Sequence, residues 1–159
     1  MLRNMTAIYI FDGDKVLLLY RVGSKVVAPS WCGVGGHFEP GELNNPEACV
    51  LRELQEETGI KPEDICNLRL KYVTLRKKNR EIRQNYYFFA DLFNPNLALP
   101  PCNEGLLEWV LVTEVLERQM PFSAFRCLKH YLETGKNNNK QYAGVTTEIG
   151  INFVELTEF

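Results

Sequence analysis

Glu53, Glu56 and Glu57 are the residues whose types and spacing speak most directly of chemistry. On an α-helix, at ~100° per residue, all three fall on one face while Leu51 and Leu54 point elsewhere. Like charges at these spacings repel by a few tenths of a kcal/mol for each exposed pair. Taken alone, the triplet reads as a solvated acidic face balanced by Arg52 and Lys61. A hard divalent cation turns the same repulsion into a binding site, because oxygen ligands suit magnesium or manganese, and magnesium typically combines a few carboxylates with water and phosphate oxygens.

The flanking residues supply the helix that this reading needs. Asn45 can cap it, Pro46 suits its first turn, Glu47 favours the positive end of its dipole and Gly59 is placed to end it, so the sequence predicts a helix over residues 46–58. Residues 6–11 and 15–20, around Asp12-Gly13-Asp14, predict an opening β-hairpin. Residues 22–30 read as a loop, and residues 31–36 are too glycine-rich to be an ordinary strand throughout. Two long strands are predicted over 67–76 and 82–93, joined by a polar stretch, and the proline-bearing segment 94–105 reads as a loop. Residues 107–112 predict a short strand. Residues 123–133 predict a helix with Phe125, Leu128 and Leu132 on one face, ended by Gly135, and residues 141–147 and 151–156 predict a closing hairpin. This order of elements predicts an α+β domain with mixed sheets. At 159 residues and 45% hydrophobic composition the chain suits one core, and residues 1–159 are expected to form a single domain.

Gly35-Gly36-His37-Phe38-Glu39-Pro40-Gly41-Glu42, followed after a loop by Arg52-Glu53-Leu54-Gln55-Glu56-Glu57-Thr58-Gly59-Ile60, closely resembles the Nudix box, here residues 36–60. The chain is similar to the MutT-like, 8-oxo-dGTP diphosphatase-like branch of that family. The nine residues between Glu42 and Arg52 make that segment longer than the family pattern, and residues 43–45 sit where a loop enlarges without disturbing the helix register. The resemblance implies the Nudix fold, a mixed β-sheet sandwiched between α-helices. It implies a hydrolase that uses Mg2+, with Mn2+ as the alternative, to cleave a nucleoside triphosphate, unmodified or oxidised like 8-oxo-dGTP, to the monophosphate and pyrophosphate by water attack. Residue by residue, Glu53 and Glu57 would be metal ligands, Glu56 a ligand or the base acting on water, and the Gly35 carbonyl a further ligand. Arg52 would orient the glutamates. Glu104, in Asn103-Glu104-Gly105, stands in what looks like the loop from which MutT-like members bring another glutamate to the metal. Arg21, Gly36, His37, Phe38 and Glu42 fall on the substrate side, with Arg21 and His37 the nearest cationic contacts for phosphates.

Two other readings stay open. One is cleavage of another diphosphate-linked compound, such as ADP-ribose, a dinucleotide or a capped RNA, since the box specifies the pyrophosphate and not its substituents. The other is a non-catalytic nucleotide sensor, against which stands the presence of all three box glutamates. Trp31, Phe38, Tyr87, Phe89 and Phe122 are aromatics able to stack on a base. Some 8-oxo-dGTP-hydrolysing relatives carry asparagine where Cys32 stands, so the base is not fixed.

Eighteen Lys and Arg against 20 Asp and Glu give a net charge of -2, too little for a whole-protein field that holds a nucleic acid backbone or an anionic membrane. The expected partner is a small nucleotide, captured locally or through a cation. The basic run Arg76-Lys77-Lys78-Asn79-Arg80, with Arg83, reads as a solvated hairpin tip. The apolar run at residues 7–11 is shorter than a signal peptide's, and no run approaches the ~20 residues of a membrane span, so a soluble cytoplasmic protein is expected. Five cysteines, odd in number and without a C-x-x-C pair, read as buried thiols in a reducing compartment. The sequence leaves the oligomeric state open, a homodimer included.

Overall fold

Burial along the first strands decides the architecture. In β1 (Leu2–Asp12), Ile8 and Ile10 point to one face and Tyr9 to the other, and all three are buried. In β2 (Lys15–Arg21), Val16 and Leu18 alternate with Leu17 and Leu19, and all four are buried too. Strands with both faces apolar belong inside a sheet covered on both sides. In the computed structural model, which describes residues 1–22, 28–95 and 97–159, two helices provide that cover. Val50 and Leu54 of α1 (Pro46–Thr58) pack with Ile60 among Ile8, Ile10, Leu17 and Leu19. On the opposite face, Ala124, Cys127, Leu128 and Tyr131 of α2 (Phe122–Glu133) pack among Tyr9, Val16, Leu18 and Phe89. Each fully buried side chain of Leu54's size contributes about 1.5–3 kcal/mol, so these two layers hold the helices to the sheet.

The remaining strands are β3 (Ser30–Cys32), β4 (Ile65–Lys78), β5 (Glu81–Leu92), β6 (Gly105–Leu111), β7 (Gln141–Thr146) and β8 (Ile151–Leu156). They form one mixed sheet in the order β3-β2-β1-β5-β4-β7-β8, with β6 on β2; β1–β5 and β4–β7 are parallel and the other pairs antiparallel. The expected mixed sheet between helices is therefore present.

The feature that positions the site is a split between β1 and β2. They pair only at their hairpin end, Phe11↔Val16 and Asp12↔Lys15, and then diverge. Into the gap runs the segment from β3 onward. Ser30 to Cys32 pair with β2, whereas residues 34–38 cross to β1: Ile8 N–H donates to Val34 O (2.7 Å), Thr6 N–H to Gly36 O (2.9 Å) and Phe38 N–H to Asn4 O (3.4 Å). The segment is a wedge of backbone hydrogen-bonded to both strands.

Locally encoded elements lie where the sequence puts them. Asn45 Oδ1 accepts the Ala48 N–H at 3.1 Å, and Gly59 ends α1 in the left-handed conformation at φ +71. The differences come from distant partners. β1 begins at Leu2 rather than at residue 6 because it pairs in parallel with β5 along its length, from Leu2↔Ile82 to Phe11↔Asp91. β3 takes its pairing from β2 and has no propensity signal of its own. Of the loop expected over 22–30, residues 23–27 lie outside the described residues, as does Asn96 in the loop expected over 94–105. Gly135 opens a short 3-10 turn, Gly135–Asn137, beyond α2. Among the described residues no helix is long and apolar enough to cross a membrane.

Candidate functional site

α1 presents its three glutamates to the wedge, and each meets a different environment. Glu57 is only 6% exposed; its Oε2 accepts the Gly35 N–H at 3.0 Å and its Oε1 accepts from Arg21 Nη2 at 2.6 Å. Glu53 lies against Gly36, where a Cβ would stand 2.4 Å from its carboxylate, and accepts from Arg52 Nη1 at 3.0 Å. Glu56 is exposed and meets Arg52 Nη1 at 3.0 Å. The Arg52 fork also reaches both carboxylate oxygens of Glu42, at 2.7 and 3.0 Å, and the His37 carbonyl at 3.1 Å. One planar guanidinium thus ties the wedge, the turn Pro40–Glu42 and the helix together, which a point charge could not do. The longer segment between Glu42 and Arg52 is absorbed by residues 43–45, ahead of the helix start, and Glu42 still meets Arg52.

Arg21, at the end of β2, marks a second point of convergence. Its Nη2 donates to the Gly35 carbonyl at 2.5 Å and to Glu57 Oε1 at 2.6 Å, and stands 3.0 Å from Glu104 Oε2 as an ion pair. The pairing Arg21↔Gly105 between β2 and β6 is what carries Glu104 there. Gly35, Glu57 and Glu104 are therefore brought together, while Glu53 and Glu56 turn to Arg52. Among the described residues no three acidic, thiol or imidazole side chains share one point. The donors that do converge are all oxygen, two carboxylates and a carbonyl, and they already surround a positive nitrogen. That donor set fits a hard divalent cation.

The electrostatics agree. Burial pushes the Glu57 carboxyl up to about 7 against the pull of Arg21 and the Gly35 N–H, and Glu104 pushes it in the same direction as burial. Burial also raises Glu53, with Arg52 opposing. The hydrogen bonds from Arg52 hold Glu42 down at about 2. Burial is the first cause of both upward shifts, and perturbed carboxylates in a cleft are a common mark of a functional site.

A cavity of about 270 Å³ opens beside Gly33 and Gly35, walled by Arg21, His37, Cys32 and Tyr87. Burial lowers His37, and Arg3, Arg21 and Arg83 lower it further. Of the substrate-side residues named from sequence, Arg21 and His37 reach this cavity. Phe38 and Glu42 do not line it: Phe38 packs on Tyr86 with ring centroids 5.4 Å apart, and Glu42 is held by Arg52. Gly36 faces Glu53 instead. Among the aromatics, Tyr87 lines the cavity, Phe89 is core, Trp31 packs on Tyr20, and Phe122 is 42% exposed. Sequence reasoning missed Arg3, Asn85 and Ser123, and it misjudged Arg76 and Arg83. The expected solvated tip is split by strand alternation: Lys77 is exposed, while Arg76 and Arg83 line the cavity. Period-two alternation, applied to the basic run, would have separated them.

The architecture is α+β: a sheet split by a glycine-rich wedge, with helix-borne carboxylates set against that wedge. The chain belongs to the Nudix family: a model of the NUDIX domain matches residues 1–131. It is similar to the MutT protein of Bacillus halodurans, at 26% identity over 98% of this chain and 95% of that one, with a TM-score of 0.65. It is also similar to the MutT protein of Methanosarcina mazei Go1, at 22% identity over 86% of this chain and 96% of that one, with a TM-score of 0.65. A MutT Nudix hydrolase from Burkholderia pseudomallei matches at 22% identity over 81% and 97% of the two chains, with a TM-score of 0.63. The chain is a MutT-like member with the Nudix fold. That family hydrolyses pyrophosphate bonds in small nucleotide substrates, generally with a divalent metal such as magnesium.

Proposed function

We propose that the chain hydrolyses a nucleoside triphosphate, unmodified or oxidised like 8-oxo-dGTP, to the monophosphate and pyrophosphate in the presence of Mg2+, with Mn2+ able to replace it. The observation that carries this reading is the convergence of the Gly35 carbonyl, Glu57 and Glu104 on one positive centre beside the cavity. When bound there, the metal would offset phosphate charge and acidify a water. Gly35, Glu57 and Glu104 would hold it, with Glu53 from the same helix completing the donor set. Glu56, the most exposed of the three box glutamates, would receive the water's proton. Arg52 keeps the glutamates in register, and Phe38 and Glu42 act as supports. Arg21 and His37, on the cavity wall, meet phosphate oxygens, and Gly36 leaves the backbone open beside Glu53.

Supporting observations extend to the whole chain. One sheet runs from β6 to β8, which supports reading residues 1–159 as one domain. Five free cysteines support a reducing, cytoplasmic setting. A second reading, cleavage of another nucleoside diphosphate-linked compound, is favoured by the cationic wall at the cavity's far end.

The test is release of pyrophosphate and phosphate, with Mg2+ or Mn2+, from NTPs, dNTPs, 8-oxo-dGTP, ADP-ribose and a dinucleoside polyphosphate. Pyrophosphate from one preferred triphosphate is the expected result. Turnover of a non-triphosphate alone would select the second reading. No product from any compound, with metal binding shown, would overturn the triphosphate reading in favour of an untested diphosphate or a sensor.

A further inference from the structure

The floor of the cavity carries a row of three arginines. Arg3 on β1 pairs with Arg83 on β5, and Arg83 pairs with Arg76 on β4. Directly opposed residues leave a sheet on the same face, and like charges so placed repel. All three line the cavity. A single carboxylate, Glu81, answers two of them, Arg83 at 3.1 Å and Arg3 at 3.8 Å. Arg76 has no ion pair among the described residues, and its buried Nε has no partner. Asn85 Oδ1 and Ser123 Oγ, also on the cavity wall, are likewise buried without partners, and Ser123 is 4% exposed. Buried polar groups are nearly always satisfied, so a cluster of unmet ones beside a cavity is a place where a ligand supplies what the protein lacks.

The position of the row sets its reach. Arg3 precedes Thr6 by three residues, and the Thr6 carbonyl is the atom that crowds Gly35. At ~3.3 Å per residue, the row begins roughly 10 Å along β1 from the glycine backbone, about one nucleoside away. No carboxylate lines this cavity among the described residues, so its far end offers donors and positive charge to a ligand's acceptors.

The structure assigns to Arg3, Arg76 and Arg83 a second anion site. It takes a phosphate or carboxylate carried by the substrate at the end remote from the scissile diphosphate. The substrate class is then a nucleoside polyphosphate with an additional anionic group, an assignment that rests on the proposed diphosphate chemistry for its near end only.

Two matched ligand pairs test it: ATP against adenosine 3′-phosphate 5′-triphosphate, which adds a ribose phosphate, and UTP against orotidine 5′-triphosphate, which adds a base carboxylate. Affinities are measured on the full chain by calorimetry in EDTA, and kcat/KM is measured with Mg2+ wherever turnover occurs. In at least one pair the doubly anionic member should be preferred tenfold or more, and the pair that responds tells phosphate from carboxylate. Arg76→Gln and Arg3→Gln, each checked by thermal unfolding, should cut that preference at least fivefold. Arg80→Gln, at the exposed hairpin tip, should not. Absence of preference in both pairs, or an equal loss in Arg80→Gln, overturns the second anion site. Preference without hydrolysis of any ligand leaves the site standing and removes the triphosphate reading; hydrolysis of all four without preference does the reverse.

Discussion

Gly35, Gly36 and Gly41 lie within seven positions of one another, yet a methyl group added at each meets very different surroundings. Alanine at Gly35 must adopt φ +148 and place its Cβ 2.3 Å from Thr6 O, 2.8 Å from Thr6 C and 2.9 Å from Ala7 Cα. Holding a side chain in that backbone region costs about 1–3 kcal/mol. The clashing atoms are backbone of a central strand and cannot turn aside, which adds about 1–3 kcal/mol of overpacking. The summed loss, roughly 2–6 kcal/mol, corresponds to a Tm drop of about 4–24 °C at about 2–4 °C per kcal/mol for a chain of this size. Gly35→Ala is therefore a folding mutant.

Gly36→Ala should behave differently, because its Cβ would meet the end of a flexible side chain, the Glu53 carboxylate at 2.4 Å, where ordinary contact begins at 3.4 Å. The carboxylate must retreat by about 1 Å, a misplacement of the size that costs about 10²-fold in rate, while Tm moves by less than about 4 °C. Gly41→Ala meets nothing within 4 Å and should be neutral or stabilising by about 0.4–1 kcal/mol, with full activity. Scanning calorimetry and pyrophosphate release on the three variants give the two readouts. An unchanged Tm in Gly35→Ala would refute the steric argument. Equal destabilisation in Gly36→Ala, or a wild-type rate in that variant, would refute the separation of fold from site.

Glu57→Gln preserves shape but removes the charge facing Arg21 and the candidate cation; kcat should fall by about 10²-fold or more, and intact pyrophosphate release would sink the catalytic scheme. Arg52→Lys replaces a fork that reaches Glu42, Glu53, Glu56 and the His37 carbonyl with a single ammonium. Activity should drop about 10–100-fold while Tm falls only a few degrees, since Glu56 is exposed; an unaffected rate would remove Arg52 from the site's support. Burial pushes the Cys32 thiol up to about 11 and Cys127 higher still, so the folded chain keeps protons that the unfolded chain releases above about pH 8.5. Their contribution to stability is therefore full below that pH and declines as pH rises toward 11. Urea midpoints at pH 8 and pH 10 check the sign, and a higher midpoint at pH 10 would contradict it.

What was legible in the sequence follows from how far each interaction reaches. α1 was readable to the residue because its cap, its first-turn proline, its glycine stop and its carboxylate spacing all lie within 15 positions, Asn45 to Gly59. Arg52 as the orienting residue came through the family resemblance, and its hold on Glu42, expected on the substrate side, came only with the fold. β3 was not readable, since three residues pair only because β2 diverges from β1. The grouping of Glu104 with Gly35 and Glu57 was expected through the family resemblance alone, since the β2–β6 register that makes it is carried by no local pattern. The arginine row is the clearest case: Arg3, Arg76 and Arg83 come from three strands, and only the joint registers of β1–β5 and β4–β5 make them neighbours.

Those registers also change what the overall charge means. A net charge of -2 argues against a long-range field, and it is silent about sorting. In the folded chain the charges are sorted by face. Glu57 and Glu104 meet at Arg21, Glu53 and Glu56 meet at Arg52, and guanidiniums from three strands line the cavity. The two ends ride on separate parts of the fold: α1 and the glycine wedge carry the acidic end, whereas the basic end depends on single side chains along β1, β4 and β5. Changes at the second set alter which molecule is held without touching where it would be cut. On the proposed second anion site, that division would let one fold serve many ligands, with the arginine row selecting among them.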